Sequence, residues 1–466
     1  MNQPTQNQII REERGVETVP DNERTAQPKS LITVFLGANL SLSVMVFGWL
    51  AVLYGLGWWQ SVSAILVGTF LGALFVARSA LLGWKAATNN SVASGAYFGV
   101  KGRLIASLVG LLLCLQYVAL TVWTGGEMFS AGIARLTNSK VTNLEISIGY
   151  TLIGIAIVLI AIYGYQVIVN VNRWIIPGML ILILLSVFAF SSKFDASYAG
   201  DASVYALGKF WPTWLLAVLT CGAAGPISYV TQTGDWARYI SASKSEKEIV
   251  KNTFLAMVIG LAIPTLFGAF IAVAAFDENS FSAGFVASAP NWLLIPLLLI
   301  ALGGSLGQGA INLYSMGLDL DAILPKFKRS QTTSLVALIS IALVFIGKFV
   351  YDAENAVTNS VLFLTVIATA WVSITLYMYA KTNGEFDQNS LQIFNTGKTG
   401  GAYWYQSGWN FRMIFAWLIG SLVGILSISS VDYVGPISNA LKGIDLSIPA
   451  SAIVSVILAM LLNRAK

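Results

Sequence analysis

Four short stretches carry most of the polar chemistry of an otherwise apolar chain: ANLSLS at 38–43, QY at 116–117, GPISY at 225–229 and GGSLGQGAIN at 303–312. Their side chains are hydroxyls, primary amides and phenol rings, which bind by hydrogen bond and stacking. Gln116 and Gln308 each offer two donors and an acceptor, and Tyr117 puts a ring beside the first of them. An aromatic face next to an amide suits a flat, hydrogen-bonding heterocycle, stacked on one side and read along its edge. Covalent chemistry lacks its parts. With no histidine in the chain and no aspartate expected in mid-span, an intramembrane enzyme has neither a serine with a base nor paired aspartates to work with.

The elements that must position these groups are membrane helices. Hydrophobic residues make up 56% of the 466 and charged ones only 11%, too few charges to cover a water-soluble surface of that size. Apolar runs of about 20 residues recur from Leu31 to Leu462, which predicts an all-α integral membrane domain with twelve transmembrane helices. They are numbered in chain order over 31–54, 60–82, 104–126, 146–163, 173–191, 211–233, 254–276, 291–317, 332–350, 359–380, 410–430 and 448–463. Residues 1–30, rich in Arg and Glu, read as a disordered cytoplasmic tail ahead of a transmembrane domain over 31–466.

Charge sets the orientation. With both termini in the cytoplasm of a cell-membrane protein, 21 of the 27 basic residues fall on inner segments, as the positive-inside rule demands. The net charge of +5 then reports contact with anionic lipid and gives no reason to expect nucleic acid. Cys114 and Cys221 lie in apolar runs and read as buried thiols, and without histidine no Cys/His metal site is expected. No cofactor is implied, and oligomeric state is left open.

Depth follows from position at about 1.5 Å per helical residue. On that count the ANLSLS stretch, Gln116 with Tyr117, Pro226 with Ser228, and Gln308 all reach the midplane. Released backbone survives in hydrocarbon only where it lines a polar cavity or binds something. Pro226 removes a donor, while Gly222 and Gly225 let the chain leave helical geometry, so helices 1 and 6 are expected to be discontinuous. Breaks five helices apart point to a secondary transporter built of inverted repeats. Trp123, two turns beyond Gln116, reads equally as site wall or as core. Glu127 reads as a headgroup-level charge. At the inner end of helix 6, Asp235 and Arg238 either pair with each other or form an inner gate. Asp319 and Asp321, just past helix 8, read as solvated loop charges.

The stretches FLGANLSLSVMVFG, YFGVKGR, AAGPISYVTQTGDWARYI and GQGAINLYSMGLDLDAI, in that order, resemble the nucleobase:cation symporter-1 family, in particular its purine/cytosine permease branch. The resemblance runs from about 30 to 460. It implies a leucine-transporter-like architecture of two inverted five-helix repeats, here 31–191 and 211–380, with two additional helices over 410–463. It also implies import of a nucleobase or related ring by symport with a proton or a sodium ion. By the same motifs Ala38, Asn39 and Ser41 border substrate and cation, and Tyr117 stacks on the ring beside Gln116. Pro226, Ser228 and Tyr229 come from the helix 6 break, and Gln308 and Asn312 from helix 8. Helix 8 departs from the sodium-coupled pattern. Gly307 and Gln308 stand where hydroxyls are expected, so Gly304 and Ser305 with Gln308 are left to serve a cation, and the balance tips to a proton.

An amino-acid symporter of the same architecture is the alternative reading, distinguished by its need to grip a carboxylate and an amine. A channel would carry a ring of like charges or a repeated filter, and the sequence has neither.

Overall fold

A computed structural model describes residues 12–275, 277, 280–351 and 353–464. Nine of its helices are long and apolar enough to cross a bilayer: Trp58–Ala86, Leu104–Thr137, Asn143–Tyr163, Tyr165–Phe190, Phe210–Ala237, Glu246–Ala274, Asn291–Ile323, Arg329–Tyr351 and Ala356–Lys381. Ahead of them, Ser30–Asn39 and Leu42–Leu53 form a pair bent by 62°, and behind them come two shorter apolar helices, Phe411–Leu426 and Ser447–Asn463. Each coincides with one expected segment, so the numbers helix 1 to helix 12 are kept in chain order. Helix 6 lies at the centre, with 83% of its most apolar window buried, against 22% for helix 5 at the periphery. The rim exposes Leu184, Phe188, Phe70 and Leu338, side chains that water would penalise and lipid accepts.

Helix 1 breaks where expected, for a local reason. Asn39 turns its amide back onto the Phe35 carbonyl at 2.7 Å, and Ser41 takes an extended conformation at φ −134°, ψ 156° before the helix restarts. A side chain that satisfies the backbone in this way lets the ladder stop inside the bundle.

Helix 6 differs from expectation. Gly222 lies in a wide π-helical stretch, Val218–Ala223, and Pro226 in the α-helical turn that follows, Ala224–Ser228. The regular helix lapses only at Tyr229–Gln232, then resumes over Thr233–Ala237. A wide turn just before a proline absorbs the ring's clash without unwinding the chain. Gly222 serves close packing instead. A Cβ there would sit 2.6 Å from the Cα of Gly68 in helix 2, and backbones approach that closely only when both residues are glycine.

The N-terminal segment is a second departure. Residues 1–11 lie outside the described ones, but 12–29 form a strap across the face where helices 6 and 8 end. Glu12 accepts the amide of Tyr165 at 2.7 Å and the hydroxyl of Tyr314 at 3.0 Å, and it faces Arg238 at 3.4 Å and Arg329 at 3.8 Å. Farther along, Arg24 donates to the carbonyls of Trp84 at 2.6 Å and Ile240 at 3.2 Å. Charges that suggest a solvated tail are consumed by buried arginines more than 200 residues away and by the Trp84 and Ile240 carbonyls. Glu12→Ala is expected to cost about 2 kcal/mol, because two buried guanidiniums lose their carboxylate. Thermal melting of the purified protein and limited proteolysis of 12–29 check this, and unchanged melting with unchanged cleavage counts against it.

Candidate substrate site

The break in helix 1 faces helices 3, 6 and 8, and the polar residues there meet. Gln308 is the hub. Its Oε1 accepts from the hydroxyls of Ser41 and Ser43, and from Thr121 at 3.3 Å. Ser41 and Ser43 also lie 3.0 Å apart, and Ser43 and Thr121 3.2 Å. Ser41 begins the second half of helix 1 without a side-chain cap, and its hydroxyl donates to Gln308. The Nε2 of Gln308 is buried with no acceptor. An amide donor left open beside a cavity is what a ligand's ring nitrogen or carbonyl would complete.

Beside this hub Tyr229 donates to Asn39 Oδ1 at 2.8 Å, and its hydroxyl neighbours the Gln308 amide. The Tyr117 hydroxyl is buried next to Ser228. Asn39, Phe47, Tyr117, Cys221, Tyr229 and Thr265 are among the walls of a small cavity of about 10 Å³. Phe47 was not singled out in the sequence. Its ring lies 6.4 Å from that of Tyr117 at 48°, so the cavity has aromatic walls from two helices. Helix 8 lies backbone to backbone on the helix 1 break, since a Cβ on Gly304 would be 2.8 Å from the Leu40 carbonyl oxygen and one on Gly307 2.2 Å from that of Gly37.

Several expected residues point elsewhere. Gln116 gives its Nε2 to Ser360 on helix 10. Trp123 is core: its Nε1 donates to the Val344 carbonyl at 3.0 Å and its ring covers Gly347. Pro226 packs against Gly72 of helix 2. Ser228 bonds back to the Gly225 carbonyl at 2.6 Å, and Asn312 to that of Gln308 at 2.9 Å, leaving Asn312 Oδ1 open. Ser305 donates to the Ala301 carbonyl at 2.6 Å, and Ala38, Ser41, Gly304 and Gln308 border the break.

The charges are corrected as well. Arg238 pairs with Glu12, and no guanidinium or ammonium of a described residue comes within 4.0 Å of Asp235. Asp319 and Asp321 are 3% and 6% exposed, because helix 8 runs on to Ile323, where Ser91 donates to Asp319 at 2.8 Å and the strap covers Asp321 through the Val16 amide at 2.9 Å. At the opposite face, Glu127 pairs with Lys348 at the edge of a vestibule of about 410 Å³ that Trp49, Thr124 and Phe281 also line.

Residues 18–448 match the model of a family described as permeases for cytosine/purines, uracil, thiamine and allantoin. The chain belongs to this permease family. It is therefore a membrane transporter and not an enzyme. Bacillus subtilis YxlA, whose name describes a purine-cytosine permease, is 22% identical over 448 residues, 94% of this chain and 92% of that one. A purine-cytosine permease of Emericella nidulans is 26% identical over 301 residues, 63% of this chain and 56% of its own. Among solved structures the fold matches Mhp1, a nucleobase-cation-symport-1 family transporter seen closed with bromovinylhydantoin bound. The TM-score is 0.73 at 18% identity, over 98% of this chain and 96% of that one. A Na+-coupled sialic acid symporter shares the fold more distantly, at TM-score 0.57 and 14% identity over 95% and 91% of the two chains. The permease thus has the all-α, leucine-transporter-like fold that its motifs suggested.

Proposed function

We propose that the protein imports a nucleobase-like planar ring, cytosine or a purine first, across the cell membrane by symport with a proton. The observation that carries this reading is the open Gln308 donor next to Tyr229, which lines one cavity with Tyr117 and Phe47. A ring entering between them parts two aromatic faces, and its edge meets the Gln308 and Asn39 amides. Recognition of this kind favours a flat ring with carbonyls and ring nitrogens over the carboxylate and amine of an amino acid. The names of the relatives point the same way.

The direct contact of Gly304 with the Leu40 carbonyl supports a proton over sodium, because it leaves helices 1 and 8 little room to splay their oxygens around a hard cation. In this reading the strap face is cytoplasmic, and the repeats 31–191 and 211–380 rock about the Gln308 hub to open each side in turn. Uptake of labelled cytosine and adenine into proteoliposomes tests it, with a pH gradient acid outside, with an inward sodium gradient and with neither. Accumulation of one of the rings, driven by pH and unaffected by free amino acids in excess, is the expected result. Neither ring accumulating above background, or competition by amino acids, would overturn it.

A further inference from the structure

Below the hub, the face of helix 8 that begins at Gln308 and Asn312 continues through Ser315 to Asp319, at helical spacings of four, three and four. All four side chains are buried, and the row descends about 16 Å toward the strap. Helix 6 runs beside it with Tyr229, Thr231 and Asp235. Each row ends on a carboxyl group. Asp319 and Asp235 are 3% and 2% exposed and lie within electrostatic reach of each other.

The place is built for them. Asp319 Oδ1 accepts from Ser91 at 2.8 Å, while the neighbouring Asn90 donates to Val230 and Thr233 and so ties helix 6 to the same short helix, Asn90–Ala93. Helix 3 contributes Gly110, where a Cβ would fall 2.3 Å from Asp319 Oδ2 and 3.0 Å from Thr231 Oγ1. Thr231 Oγ1 is buried without a partner, and the buried Ser315 hydroxyl faces the Asp235 carboxyl. The Thr231 and Ser315 hydroxyls on helices 6 and 8 thus border two carboxyls that have no cation within 4.0 Å among the described residues. The charged or titratable groups facing them are Cys114 from helix 3, Arg238 from helix 6 and Glu12 from the strap, the last two paired with each other.

Two buried anions side by side without a cation are costly, and one proton shared between them removes most of that cost. A divalent metal would need more ligands, and the described residues contain no group of three His, Cys, Asp or Glu able to hold one. We propose that Asp235 and Asp319 form the site that carries the coupling proton. A proton arriving from the vestibule side past Gln308 joins one carboxylate oxygen and leaves as the same proton at the strap face, with no other bond made or broken. The inference rests on the proton symport proposed above and assigns it residues outside the substrate cavity.

Two measurements on full-length protein test it. In proteoliposomes, Asp319→Asn is expected to reduce pH-driven accumulation of labelled cytosine or adenine at least about tenfold while preserving counterflow exchange of the same ring, the pattern of a fixed neutral mimic of the loaded state. Accumulation equal to the unmodified protein overturns the proposal, and so does equal loss of exchange or uptake driven by sodium alone. Infrared spectroscopy of the purified protein in lipid needs no substrate. A carboxylic acid C=O band at neutral pH, diminished in both Asp235→Asn and Asp319→Asn, supports the site. Absence of that band, or its persistence in both variants, overturns it. Should neither ring be transported, the substrate reading fails and the infrared result still decides this one.

Discussion

Gln308→Ala is expected to cut uptake of the transported ring by about a hundredfold, corresponding to the roughly 3 kcal/mol at stake when buried polar groups lose their partner. The substitution acts twice. It removes the open Nε2 that the ring's edge would meet, and it takes away the acceptor shared by Ser41, Ser43 and Thr121. Those hydroxyls come from helices 1 and 3, so the hub also fixes how the break in helix 1 is held. Helix packing elsewhere is untouched, and the variant should elute in size-exclusion chromatography as the unmodified protein does. Uptake within threefold of normal, as an order-of-magnitude limit, would show that the hub does not bind the ring.

Gly48→Val is expected to give the largest loss of folded protein among single substitutions in the substrate half of the bundle. A Cβ on Gly48 would sit 1.7 Å from the Thr265 carbonyl oxygen, and one on Gly268 1.8 Å from that of Met45. These are main-chain atoms of helices 1 and 7, so no rotamer change relieves the overlap. Overpacking of this kind costs about 3 kcal/mol or more. Moving helix 1 away would also shift Phe47 and spread the cavity wall it shares with Thr265. Gly178→Ala is the control, since a Cβ there meets nothing within 4 Å, and alanine in a helix gains about 1 kcal/mol over glycine. Fluorescence-detected melting should separate the two clearly. Equal melting temperatures would mean that helices 1 and 7 do not pack through these glycines.

The helices were legible because a bilayer imposes length and apolarity on each segment, and the midplane depth of Ser41, Tyr117 and Gln308 followed from counting residues. Direction was not. Gln116 and Tyr117 are neighbours in sequence, yet helical geometry turns them about 100° apart, so one faces Ser360 and the other the cavity. Gly222 was read as a place to unwind, although the same residue type permits the contact with Gly68, and sequence alone does not separate the two uses. Asp319 and Asp321 were placed in a loop because hydropathy ends a helix at its first charges, while the backbone continues to Ile323. The strap was missed because its partners, Arg238 and Arg329, are remote in the chain and look like ordinary inner-loop charges.

The account depends most on where the ring sits. Cys114 and Cys221 are the chain's two cysteines, and Cys221 lines the cavity with Tyr117 and Tyr229. In a Cys114→Ser background, the rate at which a small membrane-permeant maleimide modifies Cys221 should fall sharply when the transported ring, cytosine or adenine, is present at saturation. A modification rate that does not change with the ring present, in protein that transports it, would contradict the placement of substrate between helices 1, 3 and 6.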